Sequence, residues 1–159
     1  MAASLPDTVA EYLARHHVLT LATCGPDGPW AAAVFYVNDG SALFFLSSAT
    51  SRHGRNLALD PRCAATIHED EADWTRIKGV QLEGRVSQLR GDEALRARAH
   101  YGRKFPLVAS LAAAPPAIVA ALAKVSWYRL DAERMHFIDN SRGFGHRDEI
   151  VLRQAGGPA

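Results

Sequence analysis

The first half of this chain is a succession of short β-branched and apolar runs, each cut off by a dense turn signal. Residues 18–24 run into Gly25-Pro26-Asp27-Gly28-Pro29, residues 30–37 run into Asn38-Asp39-Gly40, and residues 43–48 form a third run. Such runs are too brief for packed helices, and Gly-Pro-Asp clusters between them reverse the chain within a few residues. Turns this short join antiparallel neighbours, so the three runs predict a meander. Further strands are expected at 62–68, 79–89, 125–130 and 134–138. Segment 79–89 alternates cleanly, with Val80, Leu82 and Val86 on one face and Gln81, Glu83, Arg85 and Ser87 on the other, the mark of a half-buried strand.

Helical spacing appears elsewhere. Val9, Leu13 and His16 share one face of an opening helix, segment 50–60 begins with hydroxyls and stops before Pro61, and segment 92–104 carries acids first and bases last, as the helix dipole favours. Six or seven short strands with three or four helices predict a mainly β, α+β fold: an antiparallel closed or split barrel with peripheral helices. No linker or repeat divides the 159 residues, so one domain spanning 1–159 is expected, with a helical insertion at about 107–124 and a flexible tail at 153–159.

Composition narrows the function classes. Apolar residues make up 48% and charged residues 22%, which is ordinary for a packed domain. A net charge of +1 gives no broad positive field, so no nucleic-acid partner is expected. The longest apolar stretch, 107–125, carries Pro115 and Pro116 inside it, so it predicts a connector and a helix starting near Pro116, with no membrane span. Cys24 and Cys63 each lie in an apolar run and are expected in the core. With no signal-peptide pattern at the start, this favours a reducing cytoplasm. The seven histidines, among them His16, His17, His53 and His146, lack the paired spacing of a zinc site, so no metal is expected.

Two segments could carry chemistry. Residues 47–55, Ser-Ser-Ala-Thr-Ser-Arg-His-Gly-Arg, leave a strand and open a helix, whose unpaired N–H groups attract an anion. Ser47, Thr50 and Ser51 add donors, and Arg52 has the fork that matches two phosphate oxygens. The same pattern also suits an ordinary capped helix with solvated arginines. Residues 140–146 place Phe144 between Gly143 and Gly145, which lets the chain turn tightly and set an aromatic ring and His146 near something flat. A chain reversal with Phe144 in the core is the alternative.

These residues carry a resemblance. Thr50-Ser51-Arg52-His53, Gly79-Val80-Gln81, Arg103-Lys104-Phe105-Pro106 and Phe137-Ile138-Asp139-Asn140-Ser141-Arg142-Gly143-Phe144-Gly145 are similar to the FMN-binding split barrels, the superfamily of the pyridoxamine 5′-phosphate oxidases. Within it they most resemble the YhbP-like subfamily. The resemblance implies a homodimer with FMN at the subunit interface, and flavin-mediated redox chemistry on a small molecule. It implies phosphate binding by Ser47, Ser51 and Arg52, with Thr50 and Arg55 nearby and His53 beside them at the cofactor site. The flavin ring would lie against Ala32, Ala33 and Val34, with Asn140, Phe144 and His146 nearby. The same barrel holding F420 or haem, or a flavin-binding or redox-sensing module without turnover, are the alternatives. This chain has His53 where the oxidases commonly have lysine, Ala31-Ala32-Ala33 in place of a second-strand arginine, and no terminal Arg-x-His substrate motif. These departures preserve a phosphate site but speak against pyridoxamine phosphate oxidase activity itself.

Overall fold

The structure, a computed structural model, describes residues 5–106 and 114–152. The expected tail at 153–159 and the first part of the expected insertion, 107–113, lie outside the described residues. In chain order the elements are α1 (Asp7–Arg15), β1 (Val18–Gly25), β2 (Gly28–Asp39), β3 (Ala42–Ser47), α2 (Arg52–Leu59) and β4 (Arg62–His68). There follow β5 (Lys78–Leu89), α3 (Gly91–Lys104), α4 (Pro116–Leu122), β6 (Ser126–Asp139) and β7 (Arg147–Ile150). Short 3-10 turns stand at Trp74–Arg76 and Asn140–Arg142.

The sheet order is β3-β2-β1-β4-β5-β6-β7, all antiparallel, and β3 also pairs with β6. That last pairing closes β1–β6 into a six-stranded barrel and leaves β7 as an extra edge strand. Closure pairs β3 with β6, so the sheet keeps a free edge chiefly at the short β7. The barrel interior is filled by Leu19, Leu21, Tyr36, Leu43, Phe45, Ile67, Val80, Leu130 and Met135, all essentially without solvent contact.

Helix α1 closes one end of the barrel with Val9, Tyr12 and Leu13. Its last carbonyls would be unpaired at a helix C-terminus. Lys104, at the end of α3, meets two of them, donating to Leu13 O (3.1 Å) and His16 O (2.5 Å) while its ammonium lies 4.3 Å from the centre of the Tyr36 ring. The Tyr36 hydroxyl also donates to Leu13 O.

Three features depart from the pattern read in the sequence. The segments expected as separate strands at 125–130 and 134–138 are one continuous strand, β6. Its charged interruption is a β-bulge: Glu83 faces Arg134 and Gly84 faces Ala132, so Glu133 is an extra residue without an opposite number. Across the bulge the inward positions change from Tyr128 and Leu130 to Met135, as an added residue requires. Gly84 permits the close approach, since a Cβ there would come within 2.1 Å of Asp131 O. Strand β7 is the second departure. Cys24 also differs: Cys63 is buried, but Cys24 is exposed, because the inward side chains of β1 are Leu19, Leu21 and Thr23.

Candidate functional site

At the β3–α2 junction four hydroxyls are knitted together. Ser51 caps α2, its Oγ accepting from Gly54 N (3.0 Å) and donating to Ser48 O (2.7 Å). Ser47 Oγ lies 3.4 Å from Ser51 Oγ and 2.5 Å from His53 Nε2, and Ser48 Oγ lies 2.8 Å from Thr50 Oγ1. The cap needs glycine at 54, where a Cβ would meet Ser48 O at 2.6 Å. The N–H groups of Arg52 and His53 open the helix and have no intrahelical acceptor. Burial holds the His53 imidazole below its ordinary pKa, and so toward the neutral form. Arg55 donates to Thr50 O.

Arg52 is the least satisfied member. One terminal nitrogen donates to Asp27 O (2.9 Å) and the guanidinium sits 4.6 Å from the centre of the Trp30 ring. Its Nε is shielded from solvent and without a hydrogen-bond partner, the only such buried side-chain nitrogen or oxygen among the described residues. An unmet buried donor costs roughly 1–3 kcal/mol, more when charged.

Helix α2 is fixed beside the β1–β2 hairpin. Asn56 donates to Thr23 Oγ1 (3.1 Å), and Gly25 makes room for it, since a Cβ there would overlap the Asn56 amide. Continued past its last pair, the β2–β3 register sets Ser47 level with Val34. Ala32, Ala33 and Val34 therefore run alongside the junction, with the Val34 side chain in the core and Ala33 exposed.

The structure does not bring residues 140–146 to this place. Ser47 pairs with Ser126 at the start of β6, whereas Asn140 follows its end. Fourteen residue steps lie between Ser126 and Asn140, roughly 46 Å of contour at the rise of an extended strand. Asn140 is buried and organises its own loop, donating through Nδ2 to Trp74 O (2.8 Å) and accepting at Oδ1 from Gly145 N (3.1 Å). Phe144 is not in the core: it is 83% exposed and packs edge-on against Trp74, itself 55% exposed. His146 Nε2 lies 3.1 Å from Asp148 Oδ1.

A separate open groove of about 510 Å³ lies where β1 and β4 part after the Ala22–Ala64 pair. Its walls include Cys24, Pro29, Asp60, Arg62, Glu83 and Glu133. Arg62 is committed to Asp60 (2.7 Å), so the groove presents acids without a free cation and does not suit a phosphate. No group of three or more metal-binding side chains occurs among the described residues, and no helix there is long and apolar enough to cross a membrane.

The family model described as pyridoxamine 5′-phosphate oxidase matches residues 5–139. A UPF0306 protein from Photorhabdus laumondii is 36% identical over 141 residues, covering 87% of this chain and 90% of its own length. The chain belongs to the pyridoxamine 5′-phosphate oxidase-like split barrels, in the UPF0306 group. Among solved structures of this fold, a haem-binding protein from Mycobacterium smegmatis is 29% identical with a TM-score of 0.69; 92% of this chain aligns, and it spans 58% of that protein. An FAD-binding protein from Mesorhizobium loti is 16% identical with a TM-score of 0.62, covering 91% of this chain and 92% of the other, and shares the fold. Split barrels similar to this one thus include proteins named for quite different flat cofactors.

Residues 47–55 were accessible to sequence reading because they are contiguous. Asp27 and Trp30, which hold Arg52, were missed as members of the site. The only sequence signal for them was a large aromatic directly after a turn.

Proposed function

We propose that this chain binds FMN through its phosphate at the β3–α2 junction and supports flavin-mediated redox chemistry on a small molecule. The observation that carries this reading is the buried, unpartnered Nε of Arg52 beside a capped helix N-terminus. The donor set fits a phosphate monoester: the Ser47, Thr50 and Ser51 hydroxyls, the opening amides of α2, and the Arg52 and Arg55 guanidiniums. When bound, the flavin supplies hydride or electron transfer. The protein's part is to hold the phosphate, to keep His53 ready to accept a proton as negative charge arrives, and to fix the ring's position. Ala32, Ala33 and the Val34 backbone offer a small-residue surface for that ring.

The reading includes a homodimer. The outer faces of β1, β2 and β4 carry Ala22, Ala31, Ala33 and Ala64, with Val18 and Phe35 paired across strands and 42% and 57% exposed. A second copy covering this apolar strip would let its own residues 140–146 supply Phe144 and His146 to the ring.

The test is the visible spectrum of freshly purified protein, with mass analysis of whatever denaturation releases. A two-band flavin spectrum and the mass of FMN are expected. A colourless protein that takes up no added FMN overturns the reading.

Haem is the second reading, favoured by the 29% identical haem-binding protein of the same fold. His53 or His146 would be the axial ligand. Nε2 of each already has a partner, Ser47 for His53 and Asp148 for His146, and would have to leave it to become the ligand. A haem band abolished by His53→Ala or His146→Ala supports this reading, and an unchanged band in both ends it.

A further inference from the structure

We propose that Trp30, with the Asp27 carbonyl, is the positioning element that presents Arg52 to a phosphate and so sets the preference for phosphorylated over unphosphorylated ligands. This rests on the phosphate reading of the β3–α2 junction, and adds that the selectivity of that site is built by the β1–β2 hairpin.

A free arginine side chain samples many rotamers and would lose that freedom on gripping an anion. Here much of that freedom is already lost. The hairpin tip fixes the guanidinium at two points, a hydrogen bond from a terminal nitrogen to Asp27 O (2.9 Å) and the Trp30 ring beneath it at 4.6 Å. Five N–H donors exist on a guanidinium. One is spent on the turn and another, on Nε, is buried and unpaired.

The hairpin is itself braced against the same helix. Trp30 pairs with Thr23 across β1–β2, Thr23 Oγ1 accepts from Asn56 of α2, and Gly25 leaves space for that amide. Turn, indole and helix therefore form one frame around Arg52. This also accounts for a tryptophan 40% exposed at the start of a strand: one face of its ring serves the cation, an attraction that strengthens when water is excluded.

Trp30→Leu keeps an apolar side chain but removes the π-face, and Trp30→Phe retains one. Affinities for inorganic phosphate, FMN and riboflavin are measured by calorimetry on the full chain, with circular dichroism confirming the fold. In Trp30→Leu, phosphate and FMN affinity are expected to fall about fivefold with riboflavin unchanged, and Trp30→Phe should recover most of the loss. The proposal is overturned if Trp30→Leu leaves phosphate affinity intact, if riboflavin weakens as much as FMN, or if Trp30→Phe is as defective as Trp30→Leu. A wild-type protein that binds phosphate but no flavin overturns the FMN reading while the phosphate series still decides the role of Trp30. One that binds neither overturns both.

Discussion

The two ends of β6 solve opposite problems. At the Ser126 end, the β3–α2 junction gathers hydroxyls, helix amides and an arginine with an unmet buried donor. At the Asp139 end, the polar groups of the loop at 140–146 are taken up by protein partners, the Asn140 amide by Trp74 O and Gly145 N, and Arg142 and His146 by Asp148, while Phe144 stands exposed against Trp74. One end collects hydrogen-bond donors and the other exposes an aromatic ring. Under the proposed flavin reading the first would take the phosphate and the second would meet the ring, with two copies of the chain sharing one ligand.

The sharpest break would come from Arg52→Met. Losing a charge-assisted contact of about 1.5–3 kcal/mol should weaken FMN binding roughly 10- to 100-fold while riboflavin binding holds, by fluorescence titration. Equal losses for both would mean that this end does not read charge. Asn140→Ala should act on the other end through stability, costing about 1–3 kcal/mol in denaturant unfolding by stranding Trp74 O and Gly145 N; a protein with wild-type stability would show that the loop is not self-supporting. His53 adds a pH dependence. Its folded pKa is lowered by burial, so without ligand the unfolded chain protonates first and stability falls as pH drops through the ordinary histidine range. A bound phosphate dianion favours the imidazolium, so FMN affinity should instead rise on going from about pH 8 to pH 6.5, by no more than about tenfold per unit. His53→Gln should flatten that slope in calorimetry. The smallest effect belongs to Phe144→Ala, a loss of about threefold to tenfold in flavin affinity. Mixing this variant with Arg52→Met sharpens the comparison: if one protomer reads charge and the other supplies the ring, heterodimers regain one intact site, and flavin uptake exceeds that of either parent.

Most strands could be read from sequence because alternation survives wherever one face is wet. Arg62–His68 and Lys78–Leu89 show it plainly. β1 was harder, since Ala22 and Cys24 on its outer face are as apolar as Leu21 within, and apolarity on both faces hides the phase; hence the misplacement of Cys24. In β6, Asp131, Glu133 and Arg134 look like a turn until Gly84 on the facing strand shows that a bulge lies there. The hydroxyl and arginine cluster at the β3–α2 junction is local, so its members could be read together from the sequence. Its Trp30–Asp27 bracket comes from more than twenty residues earlier, and no short-range pattern encodes a contact made only after the barrel closes. The role of Asn140 was hidden in the same way, because its partners include Trp74, 66 positions earlier.

The unopposed Glu133 in β6 gives this strand the equivalent of a frameshift. Before it, even-numbered residues are read inward; after it, odd-numbered ones are, and the same strand serves β3 on one side early and β7 late. Deleting Glu133 would remove the bulge and leave a plain alternation opposite β5, with Ala132, Met135 and Phe137 still facing inward and Arg134 and His136 outward, but without the bend and added twist that a bulge gives a strand. Substitutions at Glu133 itself change one exposed side chain and leave the frame intact. What the extra residue contributes is therefore the course of the strand between β3 and β7, not which of the later side chains are buried.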